Sequence, residues 1–307
     1  MRIAIIGAGG VGGYFGARLQ QAGEDVAFVA RGAHLAALRR DGLTVESPLG
    51  DIHLPRVNVT GTAADIGQAD IVLLCVKLWD MDAAVRAIAP LVGPDTGIIS
   101  FQNGVQKDDV LRAAFGDMPV MGGIAQIGAS IDRPGVIKHI GTMQRLVFGE
   151  YDGRPSARAT ALVDACRRGG IDAELGDDMR RIIWEKFVFL IGLSGATATM
   201  RATIGPIRSN PRTRAFLLDA MRETVAVGRA LGVALPADYA DLRLTFVDGL
   251  PGTMTSSMHH DLQRGKRLEV RWLAGVVVQL GERAGVPTPV NRAVWDVLAL
   301  HAEGGAP

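Results

Sequence analysis

Cysteine is nearly absent from this chain: Cys75 and Cys166 stand alone among 307 residues. Two isolated thiols give neither a zinc-ligand spacing nor a disulfide framework. Both lie in apolar-periodic stretches, as expected of buried thiols in a reducing compartment. Aromatic residues amount to 5%, which argues against nucleic-acid binding by base stacking. No charge of one sign prevails. The formal net charge is +1, so no overall field favours nucleic acid or an anionic membrane. Long apolar runs are missing too. The longest, residues 187–200, contains glycine, serine and threonine and falls short of the roughly 20 residues of a membrane span; it reads as a core helix. The first apolar segment is short and runs into glycines rather than a cleavage site, unlike a secretory leader. The expectation is a cytoplasmic protein with no membrane or nucleic-acid partner.

What is present is an ordinary globular composition, 48% hydrophobic and 21% charged, in a chain long enough for two domains. The first half alternates short branched apolar runs with helical patterns. Strands are expected at 3–6, 26–30, 71–76, 97–100 and 119–124. Helices are expected at 10–22, 33–41, 81–91 and 105–115. Such alternation predicts a parallel sheet covered on both faces. Segments 43–47 and 51–59, joined through Pro48 and Gly50, suggest a hairpin inserted in the sheet. Further strands are expected at 135–140 and 145–149, with helix 155–168 and strand 171–175 closing the domain. Beyond Gly176 the strand signals vanish. Helices are expected at 179–200, 211–231, 236–247, 256–263, 268–284 and 289–301. Pro211, Pro236 and Pro289 mark starts, and Gly232 and Gly285 mark ends. The tail from Gly304 should fray. The fold class is therefore an α/β, Rossmann-type doubly wound domain over 1–176, followed by an all-α domain over 177–307.

The most informative segment opens the chain. A strand-like run passes into Gly7, Ala8, Gly9, Gly10, Val11 and Gly12 and then into a helix-like stretch. In this GxGxxG pattern the first glycine permits a tight turn, the second admits a diphosphate to the backbone, and the third lets helix pack on strand. The diphosphate would sit at a helix N-terminus. Where an NAD enzyme carries a carboxylate for the ribose hydroxyls, this chain has Arg31. A guanidinium cannot accept a hydrogen bond but grips a 2′-phosphate. A charge-assisted contact of about 1.5–3 kcal/mol corresponds to roughly 10–100-fold discrimination, so the cofactor expected is NADP. Lys77 follows strand 71–76 at the carboxyl edge of the sheet, where open α/β sheets bind ligands.

Asn103, after strand 97–100, stands where it can orient a nicotinamide or a substrate oxygen, although Asn103-Gly104 also suits a plain turn. Lys186 enters an apolar helix, where burying a charge is costly. Reduction of a carbonyl by hydride needs an acid for the forming alkoxide. A lysine serves if desolvation lowers its pKa, and three units correspond to about 4 kcal/mol. A lysine that merely snorkels to solvent fits the same residues equally well.

With its glycine loop, Arg31, Cys75-Val76-Lys77, Gln102-Asn103-Gly104, Pro134-Gly135-Val136, Trp184-Glu185-Lys186 and Ser256-Ser257-Met258 followed by Asp261 and Glu269, the chain resembles ketopantoate reductase (2-dehydropantoate 2-reductase) over nearly its whole length. The resemblance implies NADPH-dependent reduction of ketopantoate to pantoate, on the route to pantothenate and coenzyme A. It implies Lys186 as general acid and alkoxide stabiliser, Asn103 at nicotinamide and substrate, Ser257 on the substrate carboxylate, and Glu269 reaching cofactor or substrate from the helical domain. It also implies a backbone contact from Ala129 to NADP.

The chain departs from that pattern at two positions. Four and eight residues after the catalytic lysine the family commonly places asparagines; here Leu190 and Ser194 stand there, on the face of Lys186. Losing an amide donor should weaken a hydroxylated substrate by about 1–3 kcal/mol, and a more apolar 2-keto acid suits Leu190. The alternatives are thus a reductase of such an acid, or a non-catalytic NADPH-binding sensor that would not need Lys186. No metal is expected, because adjacent His259 and His260 point about 100° apart on a helix. Helix 268–280 is compatible with packing inside its domain or across a homodimer.

Overall fold

The computed structural model describes residues 1–305. The chain divides into two compact units, Met1–Met179 and a second beginning at Arg180. The division expected at 176/177 falls in the connection just ahead of the first helix of the second unit.

The first unit contains, in chain order, β1 (Arg2–Ile6), α1 (Gly10–Gln21), β2 (Asp25–Val29), α2 (Gly32–Asp41), β3 (Leu43–Glu46), β4 (Ile52–Leu54), β5 (Asn58–Thr60), β6 (Ile71–Leu74), α3 (Met81–Ile88), β7 (Gly97–Ser100), α4 (Lys107–Phe115), β8 (Val120–Arg133), β9 (Val136–Gly149), α5 (Ala157–Arg168) and β10 (Asp172–Leu175). The sheet runs β4-β3-β9-β8-β7-β6-β1-β2-β5, with β10 beside β9. From β5 to the start of β8 every pairing is parallel. Strands β6 and β7 are buried along their whole length, which explains their unbroken apolar runs: helices cover both faces of a parallel sheet. The order reverses at β1, between β2 and β6, and ligands of such sheets bind at the carboxyl ends beside that reversal.

Three expectations change here. Segment 51–59 is not one hairpin arm. Its start, β4, pairs antiparallel with β3 at the sheet edge, and its end, β5, pairs parallel with β2 at the opposite edge. Pro55 breaks the run between them. The strands expected at 119–124, 135–140 and 145–149 are parts of a longer ribbon. β8 and β9, 14 residues each, pair antiparallel through a turn at Pro134 and Gly135. The outer half of the ribbon is largely exposed and lacks clean alternation, with register shifts near Ala129 and Ile131, so period-two patterning fails there. Cys75 is half-buried rather than buried, while Cys166 is buried.

The second unit is helical: α6 (Met179–Met200), α7 (Ile204–Ser209), α8 (Pro211–Ala230), α9 (Tyr239–Asp248), α10 (Ser257–Gln263), α11 (Ala274–Ala284) and α12 (Pro289–Leu298). α6 is the one described helix long and apolar enough to cross a membrane, yet 67% of its apolar window is buried inside the protein. Its small residues admit neighbours. A Cβ on Gly192 would stand 2.6 Å from Met221 of α8, and one on Gly195 would stand 3.4 Å from Val294 of α12.

Two helix starts differ from expectation. Pro236 precedes α9 rather than opening it, and its carbonyl accepts from the Tyr239 N–H at 3.2 Å. Segment 268–284 is interrupted: a 3-10 turn at Val270–Trp272 ends at Leu273, whose φ of −104° and ψ of −97° are not helical. The tail is tied down as far as Gly305, which donates to the Gly265 carbonyl at 3.0 Å; Ala306 and Pro307 lie outside the described residues.

Candidate active site

At the reversal point the loop from β1 to α1 is shaped by close contacts. Gly7 has φ +101°, and a Cβ there would meet Val76 at 2.9 Å. A Cβ on Gly12 would stand 2.2 Å from the Gly7 carbonyl, and one on Gly10 would stand 2.1 Å from the Ala129 carbonyl. Gly9 differs: a Cβ there would meet nothing within 4 Å. It is also the N-cap of α1, with no side-chain cap, and the first turn holds no acidic residue. An uncapped helix N-terminus facing open space, at the carboxyl edge of a parallel sheet, fits the diphosphate of a dinucleotide. Ala8 supports this surface from beneath. Its N–H donates to the Val29 carbonyl at 3.1 Å, its carbonyl bonds the ring of His34 at 2.8 Å, and it is buried. Val11 is half-buried in the first turn.

Around the loop the first unit brings together most of the residues expected there. Arg31 is the N-cap of α2. Its side chain is 68% exposed and lies 3.8 Å from the Asp80 carboxylate, a loose pair. A guanidinium so exposed is available to an incoming anion at little desolvation cost. Lys77 follows β6, and its ammonium lies 5.5 Å from the Trp79 ring centroid. Asn103 lies in the turn after β7, next to Gly104 at φ +94°. That turn is joined to Lys77 by Gln102. The Gln102 amide donates to the Lys77 carbonyl at 3.2 Å and accepts from the Ser100 hydroxyl at 2.9 Å. Ala129 reaches the loop through its carbonyl, against Gly10.

Composition and spacing did not single out Gln102, His34 or Asp80 as site residues. For His34 the available signal was its position three residues after Arg31, on the same side of α2. Burial pushes the His34 pKa below its usual value, opposed by the hydrogen bond to the Ala8 carbonyl.

In the second unit Lys186 lies on α6. Residues 182, 185, 186, 189 and 190 form its half-buried stripe, bordered by buried 183, 184, 187, 188 and 191. Apart from Glu185, the neighbours of Lys186 on that stripe are Ile182, Phe189 and Leu190. The Phe189 ring packs edge-on against Phe246, with centroids 5.5 Å apart. Further along, Ser194 is 1% exposed, and its buried hydroxyl has no hydrogen-bond partner. The face expected from helical spacing thus sinks into the core between Leu190 and Ser194.

Ser257, exposed, begins α10, and its backbone is latched to α6. The His259 N–H donates to the Ser256 hydroxyl at 3.1 Å, and the Ser256 and Thr197 hydroxyls are 2.9 Å apart. Thr197 donates to the Leu193 carbonyl at 2.7 Å, so Ser256 must donate to Thr197. His259 Nδ1 lies 2.8 Å from the Thr197 carbonyl, which only accepts, so Nδ1 carries the proton. The latch holds Ser257 in a set relation to the helix bearing Lys186. Glu269 is buried at the head of the 3-10 turn Val270–Trp272. Among the described residues no group of three His, Cys, Asp or Glu is placed to hold a metal ion.

Comparison with known proteins agrees across both units. Residues 3–153 match the family model described as ketopantoate reductase PanE/ApbA. Residues 178–302 match that of the ketopantoate reductase PanE/ApbA C terminal. A 2-dehydropantoate 2-reductase of Archaeoglobus fulgidus is 34% identical over 299 residues, covering 97% of this chain and 96% of that protein. One from Mesorhizobium japonicum is 32% identical, with 96% and 95% covered. The crystal structure of 2-dehydropantoate 2-reductase from Geobacter metallireducens GS-15 superimposes with a TM-score of 0.90 at 32% identity, covering 98% of this chain and 99% of that one.

Proposed function

The chain belongs to the ketopantoate reductase family, and we propose that it reduces 2-dehydropantoate (ketopantoate) to pantoate with NADPH. The observation that carries this reading is Lys186, a lysine whose helical-face neighbours Ile182, Phe189 and Leu190 are apolar. Bound at the glycine loop, the reduced dinucleotide supplies a hydride to the keto carbon. Lys186 Nζ holds a proton for the keto oxygen and stabilises the negative charge that develops on it. Ser257 at the start of α10 binds the substrate carboxylate. Asn103 orients nicotinamide and substrate, with the turn that bears it held in place by Gln102. Gly9, Gly10 and Val11 present backbone N–H groups to the diphosphate, while Arg31 takes the 2′-phosphate and selects NADP. Lys77 and the Ala129 backbone flank the same ligand, and Glu269 serves the hydroxyls of cofactor or substrate.

A second reading rests on Leu190, half-buried one turn from Lys186. It offers no hydrogen bond to a hydroxylated substrate, whereas it would pack against the side chain of a branched, apolar 2-keto acid. One experiment addresses both readings. NADPH oxidation is followed by absorbance with ketopantoate and with a panel of branched apolar 2-keto acids, using the wild-type enzyme and Lys186→Ala. The first reading expects ketopantoate to have the highest kcat/KM, and Lys186→Ala to lower kcat about 1,000-fold while NADPH affinity stays within about twofold. Turnover confined to apolar acids selects the second reading. Full turnover by Lys186→Ala, or none by the wild-type enzyme, sinks the assignment of this lysine.

A further inference from the structure

His34 stands outside the expected set of site residues, yet its ring joins the glycine loop to the turn of the β8–β9 ribbon. Its Nδ1 lies 3.1 Å from the Gly135 N–H, which can only donate. Nδ1 is therefore the acceptor and carries no proton. The neutral ring then has its hydrogen on Nε2, which lies 2.8 Å from the Ala8 carbonyl, an obligate acceptor. Both bonds are satisfied by one tautomer and by no other protonation state. Gly135 is also held from its far side, since its carbonyl accepts from the Thr44 N–H at 2.9 Å. The same ribbon presses on the first turn of α1 at two more points: the Ala129 carbonyl against Gly10 and the Ile137 side chain against Gly13. The loop that meets the diphosphate is thus gripped between strand β2, through Val29, and the ribbon, through His34.

We propose that His34 is a positioning residue for the dinucleotide: by donating to the Ala8 carbonyl and accepting from Gly135, it sets the path of the Ala8–Gly10 backbone on which the diphosphate rests. The proposal depends on the reading of this loop as the dinucleotide site. His34 itself touches no reacting atom. Its effect is to preorganise N–H groups at Gly9 and Gly10, so that binding need not order them.

Three substitutions separate the two bonds. Gln at position 34 can keep a donor where Nε2 stands, Asn can keep an acceptor where Nδ1 stands, and Leu keeps neither. NADPH affinity is read by titrating its fluorescence, alongside kcat, the KM for NADPH and the ligand-free Tm. We expect His34→Leu and His34→Asn to raise Kd and KM for NADPH about tenfold, the scale of one hydrogen bond, with kcat at saturating NADPH within about twofold. His34→Gln should restore most of the affinity. The proposal is overturned if all three variants bind NADPH like the wild type, or if His34→Gln is as impaired as His34→Leu. It is equally overturned if a lowered ligand-free Tm is the sole change. Wild-type protein that fails to bind NADPH would overturn the dinucleotide reading as well, whereas normal wild-type binding with unaltered variants removes His34 alone.

Discussion

The glycine loop of the first unit and the Lys186 stripe of the second are built from different materials. The loop is a main-chain surface. Ala8 is hydrogen-bonded through both its backbone groups, and Gly7, Gly10 and Gly12 are packed closer than any side chain permits. Only Gly9 faces open space. The stripe is a side-chain surface. Lys186 shares it with Ile182, Glu185, Phe189 and Leu190, and the hydroxyl of Ser194 beyond them is buried without a partner. The close-packed glycines tolerate almost no substitution, whereas the half-buried stripe of a helix accepts a range of side chains. On the proposed reading, the cofactor end is therefore the constrained one and the substrate end the adjustable one. Leu190, on that stripe, is a change of the adjustable kind, whereas Ser194 lies in the core.

The sharpest way to break this contrast is to place the same methyl group at two glycines. Gly12→Ala drives a Cβ to 2.2 Å from the Gly7 carbonyl. It should cost about 1–3 kcal/mol of stability as overpacking and abolish NADPH binding with it. Gly9→Ala meets no protein atom within 4 Å, and the Gly9 φ of −77° suits any residue. Its stability should stay within about 0.5 kcal/mol, while NADPH affinity falls about tenfold or more. Thermal melts with and without NADPH distinguish the two. Equal loss of stability in both variants would overturn the placement of Gly9 against the dinucleotide.

A smaller effect sharpens the comparison within the cofactor end. Arg31→Ala should lower the kcat/KM ratio of NADPH to NADH by about 10–100-fold, chiefly through KM. The loop itself is unchanged, so NADH turnover should persist. An unaltered ratio would assign Arg31 to its loose pair with Asp80 instead.

The smallest expected effect is of pH. The folded-state pKa of His34 lies below the ordinary 6.5 because the ring is partly buried. The native state therefore binds fewer protons than the unfolded chain in the interval between the two values, and stability rises with pH there. Below that interval the ring is protonated, and its Nδ1–H opposes the Gly135 N–H. NADPH affinity and ligand-free stability should both fall as pH drops from about 6.5 through the lowered value. His34→Gln, which does not titrate, should flatten this dependence. A wild-type profile identical to that of His34→Gln would dismiss the ring as its source.

Much of this molecule was legible in its residues. The central parallel strands β1, β2, β6 and β7 read correctly because burial on both faces demands apolar runs, whereas the short, partly exposed β5 did not. The glycine turn between β1 and α1 read correctly because the positive φ of Gly7 and the approach of Gly12 to the Gly7 carbonyl are local. The β8–β9 ribbon read poorly because its outer half is exposed, has little apolar alternation to report it, and shifts register twice. Pro236 pointed to a helix start, but the helix begins at Tyr239, since a proline suits the preceding turn as well as a first helical position. The break at Leu273 carries no proline, and Gly275 lies inside the helix that follows, so the apolar periodicity ran through it.

Local sequence alone determined the doubly wound sheet, the helical second half, the glycine-rich turn between β1 and α1 and the lysine on an apolar helix. These depend on periodicity and on backbone sterics, which act over a few residues. Tertiary structure alone decided that Ala129 seats against Gly10, that Gln102 joins Lys77 to the turn of Asn103, and that His34 holds Ala8 to Gly135. Each of those contacts unites segments dozens of residues apart, and a hydrogen bond's partner is chosen by which chain segments the fold brings within about 3 Å.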